Sequence, residues 1–387
     1  MNLFEFSYGI IHWLVDLVNH LWYWLGDVLP WVFGDIFNAV GDFAASHGHI
    51  AVMAMLVEAL IIIIIGLVNV LNFIWIDRKF MGRMFDFYGP YYVGYRIGGW
   101  LQNLADGFKL FLKEIITPAK VDRVGFLLAP VIFVGSSIAA MCTIPMGYEF
   151  YVGTNDIPYD SYPIPGGPEY PGVPASVLVA FALFAIAPFA ILIAGWSSNN
   201  KYTLIGGLRS AAQMMSYEIP MLLCVASVVL LAGSFSFFGV VEAQHDIWFA
   251  IPLFLGFIVF LTCLVAEVEI QPFDLPEAEA ELVEGWTTEY GGARFGLFMM
   301  TGYLRGYIGG ALAVAMFLGG WHGPAIIPDP IWFLIKAYIV FVVIEWMRWS
   351  VPRVRVDQIL NIGWKRLLPL AMLNLLIAAI LKTLEVF

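Results

Sequence analysis

Charged residues are scarce in this chain. They make up 13% of its 387 residues, whereas 61% are hydrophobic. Soluble domains carry about 25% charged residues and roughly half apolar ones. No Lys or Arg precedes Arg78, so the N-terminus lacks the basic stretch of a secretory signal peptide. This composition excludes a soluble globular domain and indicates a membrane protein.

Cysteine is also rare. Cys142, Cys224 and Cys263 lie in three different apolar runs, and no Cys-x-x-Cys spacing occurs. Zinc and iron–sulfur sites need clustered thiolate or imidazole ligands. We therefore expect buried structural thiols, with no metal and no redox cofactor bound by this chain.

A basic stripe interleaved with aromatic residues is missing, and the net charge is −11, so a nucleic-acid partner is excluded. The apolar runs are continuous rather than alternating, which argues against a β-barrel. No internal repeat is visible, which weakens the hypothesis of a stand-alone secondary transporter.

Long apolar runs predict an all-α polytopic membrane protein with about eight transmembrane helices. Residues 1–48 form an N-terminal extension in which Asp and Pro interrupt Trp- and Ile-rich sequence. That pattern predicts one or two interfacial helices, with an extra span as the alternative. Residues 49–387 form the eight-helix unit. The predicted spans are 50–76, 125–146, 175–195, 215–233, 248–268, 295–318, 331–349 and 366–384.

The loops differ sharply in cations. Nearly all Lys and Arg fall in loops 77–123, 196–213, 269–294 and 350–366, whereas the alternate loops contain none. This asymmetry predicts that the cation-bearing loops are cytoplasmic and that both termini lie on the outer side of the cell membrane. The second half of the first loop has apolar residues at helical spacing, which predicts an amphipathic surface helix.

The segment 266–294 concentrates carboxylates between two apolar runs. Glu277, Glu281 and Glu284 fall on one helical face, and like charges at this spacing repel. In a partly dehydrated pocket, repulsion raises the pKa of a carboxyl and makes it a proton acceptor near neutral pH. An acidic helix that docks a partner protein is the alternative. The carboxylates are Glu267, Glu269, Asp274, Glu277, Glu279, Glu281, Glu284 and Glu289.

Several charges lie inside predicted spans. Charged groups at this depth often relay protons, although structural pairing between helices explains them equally well. Glu58 is flanked by apolar residues on both sides and is the clearest relay candidate. The set comprises Glu58, Glu218, Glu267, Glu269, Arg305, Lys336 and Glu345.

Four strings resemble the quinone-site membrane subunit of respiratory complex I, its H subunit. They are LQNLADGFKLFLKE (101–114), SNNKYTLIGGLRSAAQMMSYE (198–218), PFDLPEAEAELVEGWTTEY (272–290) and VPRVRVDQILNIGWKRLLPL (351–370). The resemblance covers roughly 50–384. Relatives occur in photosynthetic complex I, in membrane-bound hydrogenases and in dehydrogenases of the deazaflavin coenzyme F420.

The resemblance implies eight tilted spans and a chamber for a quinone at the junction with peripheral iron–sulfur subunits. It also implies an acidic path toward antiporter-like pump subunits. Residues and resemblance together give a candidate site in three parts. The catalytic acids are Glu218, Glu267, Glu277, Glu279, Glu281 and Glu289; the quinone-binding residues are Arg78, Phe273, Asp274 and Arg294; the proton path adds Glu58, Glu269 and Glu284.

Four positions depart from the family pattern. Asp77 stands where Glu is usual, Phe87 where the family reads Arg in Arg-x-Gly-Pro, Ile270 where Arg commonly precedes the PFDLPE motif, and Gly302 where Glu is frequent. The two missing arginines leave the hydrophobic electron carrier open between a different quinone and methanophenazine. The hypothesis is a proton-translocating oxidoreductase subunit that accepts electrons from NAD(P)H, reduced deazaflavin or ferredoxin through its partners. The alternatives are the ion-translocating anchor of a hydrogenase without quinone, and a purely structural docking module.

Overall fold

The computed structural model describes residues 49–146, 175–274, 282–324 and 329–384. These residues form helices and connecting turns, with no β-strand among them. The predicted all-α fold is therefore confirmed for this part of the chain. The N-terminal extension 1–48 and the middle of the acidic segment, 275–281, lie outside the described residues, and the predictions made for them stay predictions.

The α-helices of the described residues are numbered α1 to α12 in chain order. A π-helical turn, Gly363–Leu367, joins the last two, and short 3₁₀ turns occur at Tyr95–Ile97 and Gly285–Thr287. The helices are α1 His49–Met84, α2 Gln102–Leu112, α3 Arg123–Cys142, α4 Ser176–Phe184, α5 Ala187–Ser197, α6 Lys201–Ala232, α7 Phe237–Glu242, α8 Phe254–Glu267, α9 Ala293–Phe317, α10 Asp329–Ser350, α11 Val356–Ile362 and α12 Leu368–Thr383.

Five helical segments in the described chain are long and apolar enough to cross a membrane, and each coincides with a predicted span. The other three predicted spans are also helical, as α1, α8 and α9. The positions of the apolar helices were thus predictable, while the count of eight crossings and the outer-side termini stay predictions. The five segments are Arg123–Cys142, Ser176–Ser197, Lys201–Ala232, Asp329–Ser350 and Asp357–Thr383.

Helix α6 corrects the interpretation of 196–213 as a connecting loop. It begins at Asn200, whose side-chain oxygen accepts a hydrogen bond from the N–H of Tyr202, and it ends at Gly233. The polar stretch is helical because it packs closely on its neighbours. A Cβ atom at Gly206 would lie 2.7 Å from the backbone nitrogen of Trp286. Tertiary contact rather than hydropathy determines where this helix starts.

The helices pack in two groups that meet along α8 and between α3 and α5. Helix α6 contacts α5, α8 and α12, whereas α9 contacts α1, α3, α8 and α10. Aromatic packing holds the second group together, since the Phe73 ring on α1 stacks on Phe341 of α10 with centroids 3.8 Å apart. The end of α8 at Glu267 is therefore fixed between both groups, and the acidic segment starts there.

Lys336 secures the opposite end of α9. Its Nζ donates hydrogen bonds to the carbonyl oxygens of Leu318 (2.8 Å), Gly320 (3.0 Å) and His322 (2.7 Å). All three donors of the ammonium group are used. In this structure the Lys336 ammonium therefore ties α10 to the turn that follows α9.

The predicted surface helix forms as α2. Phe108, Phe111 and Leu112 are exposed along it. The Tyr88 and Tyr92 side chains in the preceding loop are more than nine-tenths exposed. An apolar helix face of this kind suits the membrane interface or a covering protein.

Candidate functional site

A cavity of about 110 Å³ lies where the end of α8, the start of α9 and the end of α10 meet. It has room for several ordered waters, since about 10–15 Å³ suffices for one. Its walls combine charged groups with aromatic rings. The lining includes Glu267, Glu269, Asp274, Arg305, Arg348, Tyr303, Phe133, Trp286 and Phe298.

A buried ion pair forms one wall of this cavity. Arg305 Nη2 donates to Glu267 Oε1 at 2.8 Å, and both side chains are 1% exposed. The guanidinium also donates to the Phe184 carbonyl and lies 3.9 Å from the centre of that ring. Glu267 Oε2 and Arg305 Nε are buried without a protein partner among the described residues. Such atoms beside a polar cavity are usually satisfied by ordered water.

Several acids lie near Arg305. Glu218 and Glu269 both lie near enough to Glu267 and Arg305 to interact with them electrostatically. The hydroxyl of Ser210 donates to a Glu269 carboxyl oxygen. Three acids therefore lie around the Arg305 guanidinium beside the cavity.

A second charged cluster centres on Asp77 in α1. Its carboxylate accepts hydrogen bonds from the Tyr303 hydroxyl at 2.8 Å, Trp349 Nε1 at 3.0 Å and Arg348 Nη1 at 3.1 Å. Arg348 also lies 3.5 Å from Glu345 Oε2 on its own helix. Since Tyr303 and Arg348 line the cavity, this cluster borders the same space.

Asp274 begins the acidic run of the PFDLPE motif and contacts the loop after α10. Arg353 Nη2 donates to Asp274 Oδ2 at 2.9 Å. Burial raises the pKa of Asp274 above its usual value, while the neighbouring Arg353 and Arg348 partly oppose that rise. Asp274 therefore takes up a proton more readily than an exposed aspartate.

The Arg353→Gln variant is expected to raise the pKa of Asp274 further, because burial then acts without its nearest counter-charge. A carboxyl whose pKa is raised by folding lowers stability as the pH rises from its unfolded pKa through its folded pKa. The variant should therefore lose more stability than wild type between weakly acidic and neutral pH. Thermal unfolding of the detergent-solubilised complex at several pH values measures this. Arg355→Gln is the matched control, and identical pH profiles for the two variants would contradict the prediction.

Comparison with known proteins identifies the family. The family model described as NADH dehydrogenase matches residues 57–379. An H subunit of NADH-quinone oxidoreductase from Geobacter metallireducens is 39% identical over 335 residues, 86% of this chain and 96% of that protein. The corresponding protein of Syntrophotalea carbinolica is 42% identical over 303 residues, covering 78% of this chain and 88% of its own. The chain belongs to the H-subunit family of NADH-quinone oxidoreductases.

A third H subunit, from a Geobacillus species, is 40% identical over 311 residues, 80% of this chain and 88% of that protein. Membership of the H-subunit family confirms the resemblance to complex I stated from the sequence. It also confirms a membrane subunit of an oxidoreductase complex.

The structure brings some predicted site residues together at the cavity and leaves others apart. Glu267, Glu269 and Asp274 line it, Glu218 borders the Arg305 cluster, and Phe273 is buried against Tyr217 with ring centroids 5.3 Å apart. Glu277, Glu279 and Glu281 lie outside the described residues, as does the side chain of Glu58.

The remaining predicted residues have partners away from the cavity lining or face solvent. Arg78 forms a salt bridge with Asp106, and Arg294 donates to the Thr117 hydroxyl at 3.0 Å. Glu289 accepts a hydrogen bond from Asn200 at 2.7 Å, which holds the end of the acidic segment on α6. Glu284 is exposed. Arg78 therefore ties α1 to α2, while Arg294 and Glu289 contribute contacts between loops and helix ends in this arrangement.

Sequence reasoning missed three lining or bordering residues as site candidates. Arg348 and Tyr303 each lie in a largely apolar stretch, and Asp77 attracts notice only as a departure from the family pattern. Their partners are distant in the chain, with 271 positions between Asp77 and Arg348. One signal in the sequence could have identified these residues, because each is a polar group inside or at the end of a predicted span.

Proposed function

We propose that this chain is a core membrane subunit of a complex I-like oxidoreductase that couples reduction of a quinone to proton translocation. The observation that carries the proposal is the buried Glu267–Arg305 pair. It lies on the wall of the cavity of about 110 Å³ at the start of the acidic segment. The relatives are named as NADH-quinone oxidoreductase subunits, which supports the quinone as substrate. Methanophenazine is the second carrier that this chemistry accommodates.

Reduction of a quinone takes up two electrons and two protons, so negative charge develops in the chamber before protonation is complete. A negative charge near Arg305 competes with Glu267 for the guanidinium, and the interaction is strong because the surroundings are apolar. Glu267 then gains a proton as its counter-charge is drawn away.

The other acids extend this step into a path. When Glu267 gains a proton, its charge changes, and this change alters the protonation of Glu218 and Glu269 in turn. Protons reach the chamber through the acidic segment, and Glu58 continues the path within α1. The acids of that segment are Glu277, Glu279, Glu281, Glu284 and Glu289.

The electrons come from peripheral iron–sulfur subunits, since we propose no redox cofactor for this chain. Within the described residues, no group of three or more His, Cys, Asp or Glu is arranged to hold a metal ion. The walls described here form part of the chamber, and peripheral subunits complete it above Phe273 and Asp274. Arg78 and Arg294 secure the loops that meet those subunits.

The exposed aromatic surface fits a partner subunit on this face. Tyr88, Tyr92, Phe108 and Phe111 are exposed in the loop after α1 and along α2. Aromatic residues are enriched at the centres of protein interfaces. We propose that peripheral subunits cover the loop, that membrane lipid covers the apolar helix faces, and that antiporter-like subunits receive the charge change. The whole assembly lies in the cell membrane with the acidic and basic loops on the cytoplasmic side.

Glu267→Gln and Glu218→Gln are expected to abolish coupled proton pumping in the native complex. The amides keep the shape of the carboxyls but cannot exchange protons, and positioned acid–base groups contribute roughly 10²–10⁴-fold to rates. The measurements are quinone-dependent electron transfer and proton uptake in inverted membrane vesicles. Donor oxidation with an artificial acceptor should be unchanged.

Asp246→Asn is the control, because Asp246 is 97% exposed in the loop after α7. Full pumping in both glutamine variants would contradict the proposal. Pumping that needs no quinone and resists a quinone-site inhibitor would instead support the hydrogenase-type alternative.

A further inference from the structure

The carboxyl of Glu345 has no role in the function proposed above, yet it is fully buried. Its exposed fraction is 0%, and neither carboxyl oxygen has a hydrogen-bond donor among the described residues. Its neighbours are Arg348 Nη1, 3.5 Å away, and the carboxyl of Asp77, which is near enough to interact with it. An ionised carboxylate without donors is costly to bury.

Charge counting separates the two acids. Arg348 is the cation that contacts both of them, and its Nη1 lies closer to Asp77 at 3.1 Å. Asp77 also accepts hydrogen bonds from Tyr303 and Trp349, so three donors satisfy it as a carboxylate. Two ionised acids against one cation would leave a net negative charge in the bundle. One proton on the pair makes the cluster neutral, and Glu345 is the member that lacks donors.

We propose that Asp77 and Glu345 share a single proton and form a second proton-holding site, connected to the cavity by the Tyr303 hydroxyl. The connection is direct: Tyr303 lines the cavity and donates to Asp77 Oδ2 at 2.8 Å. Space is available on that side, since a Cβ atom at Gly302 would meet nothing within 4 Å. The existence of the shared proton stands by itself, whereas its use in turnover rests on the proposed function.

The proton step conserves atoms and charge. The hydroxyl of Tyr303 turns from Asp77 to a base in the cavity, releases its proton to that base and accepts one from the Asp77–Glu345 pair. The pair and Arg348 then carry one net negative charge, which draws a proton back. The charged and titratable groups around Glu345 are Asp77 on α1, Tyr303 on α9 and Arg348 on α10. The proton acceptor is the reduced quinone, whose electrons come from the partner subunits.

Infrared difference spectroscopy of the purified oxidised complex, recorded between ordinary and heavy water, tests the proposal. We expect a protonated-carboxyl stretching band in wild type that shifts in heavy water. Glu345→Gln should lose this band, because the isosteric amide keeps the packing but holds no exchangeable carboxyl proton. Glu345→Asp should restore the band, which separates proton storage from a structural role. Quinone-dependent turnover should fall by about 10²-fold or more in Glu345→Gln, in line with what positioned acid–base groups contribute.

The Tyr303→Phe variant tests the connection. It keeps the band, because the acid pair is intact, but its turnover should also fall by about 10²-fold or more, the loss expected when one positioned proton-transfer group is removed. An unchanged band in Glu345→Gln would overturn the shared proton, and wild-type turnover in Tyr303→Phe would overturn the route.

If Glu345→Gln matches wild type while Glu267→Gln is uncoupled, this inference fails and the proposed function stands. If Glu267→Gln also pumps normally, the proposed function fails with it.

Discussion

Replacing Arg305 with methionine is expected to destabilise the protein by about 3–5 kcal/mol, the cost of removing one member of a buried ion pair. The variant would leave Glu267 buried beside Glu218 and Glu269 without its cation. It would also lose the hydrogen bond to the Phe184 carbonyl and the contact with that ring. The expected result is a large fall in assembled complex and in its thermal midpoint in detergent.

The double variant Arg305→Met with Glu267→Met is the control for this prediction. Replacing a buried ion pair by apolar residues of similar volume is often neutral for stability or better. The double variant should therefore recover assembly while proton pumping stays absent, which separates the structural role of the pair from its role in coupling. Normal assembly of the single variant would show that Glu267 does not need Arg305.

Gly206→Ala is expected to have the second large effect. The new Cβ atom would lie 2.7 Å from the backbone nitrogen of Trp286 and 2.8 Å from the Cα of Gly285. Backbone atoms cannot rotate aside, so α6 has to move away from the turn that ends the acidic segment. Overpacking of this kind costs about 1–3 kcal/mol. We expect a lower thermal midpoint and reduced quinone-dependent turnover, since the Asn200–Glu289 hydrogen bond spans the same contact.

Gly302→Ala is the matched control in stability. It makes the same chemical change inside a helix, but nothing lies within 4 Å of the added Cβ atom. Alanine favours a helix over glycine by up to about 1 kcal/mol, so this variant should be as stable as wild type or more so. Equal thermal midpoints for the two alanine variants would contradict the proposed close contact of α6 with the turn.

Much of the helical framework could be predicted from apolar runs alone. The start of α3 and the end of α8 lie within a few residues of their predicted positions, because hydropathy changes abruptly there. The start of α6 lies 14 positions before the predicted span. Residues 201–214 contain too many polar side chains to be predicted as part of a span, and their packing on neighbouring elements makes them helical. Packing of this kind depends on glycines on two elements that meet in space, which a single sequence does not reveal.

The candidate site was predicted in composition but not in arrangement. Glu267 and Arg305 both stand out in the sequence as span charges, and pairing between helices was one of two interpretations left open. Their contact depends on how α8 and α9 pack, and this cannot be inferred from residues 38 positions apart. The Asp77 cluster was harder still, because it joins α1, α9 and α10. Each member looks ordinary until those helices are brought together.

Lys336 bears on how the chain is inserted. Leu318 caps the C-terminal end of α9, where the helix dipole is negative, and the ammonium group of Lys336 in α10 binds its carbonyl. The loop residues 319–330 need no cation of their own for this purpose. Membrane insertion responds to Lys and Arg in loops. A counter-charge inside the helix bundle therefore does not reduce the difference in Lys and Arg content between the alternate loops.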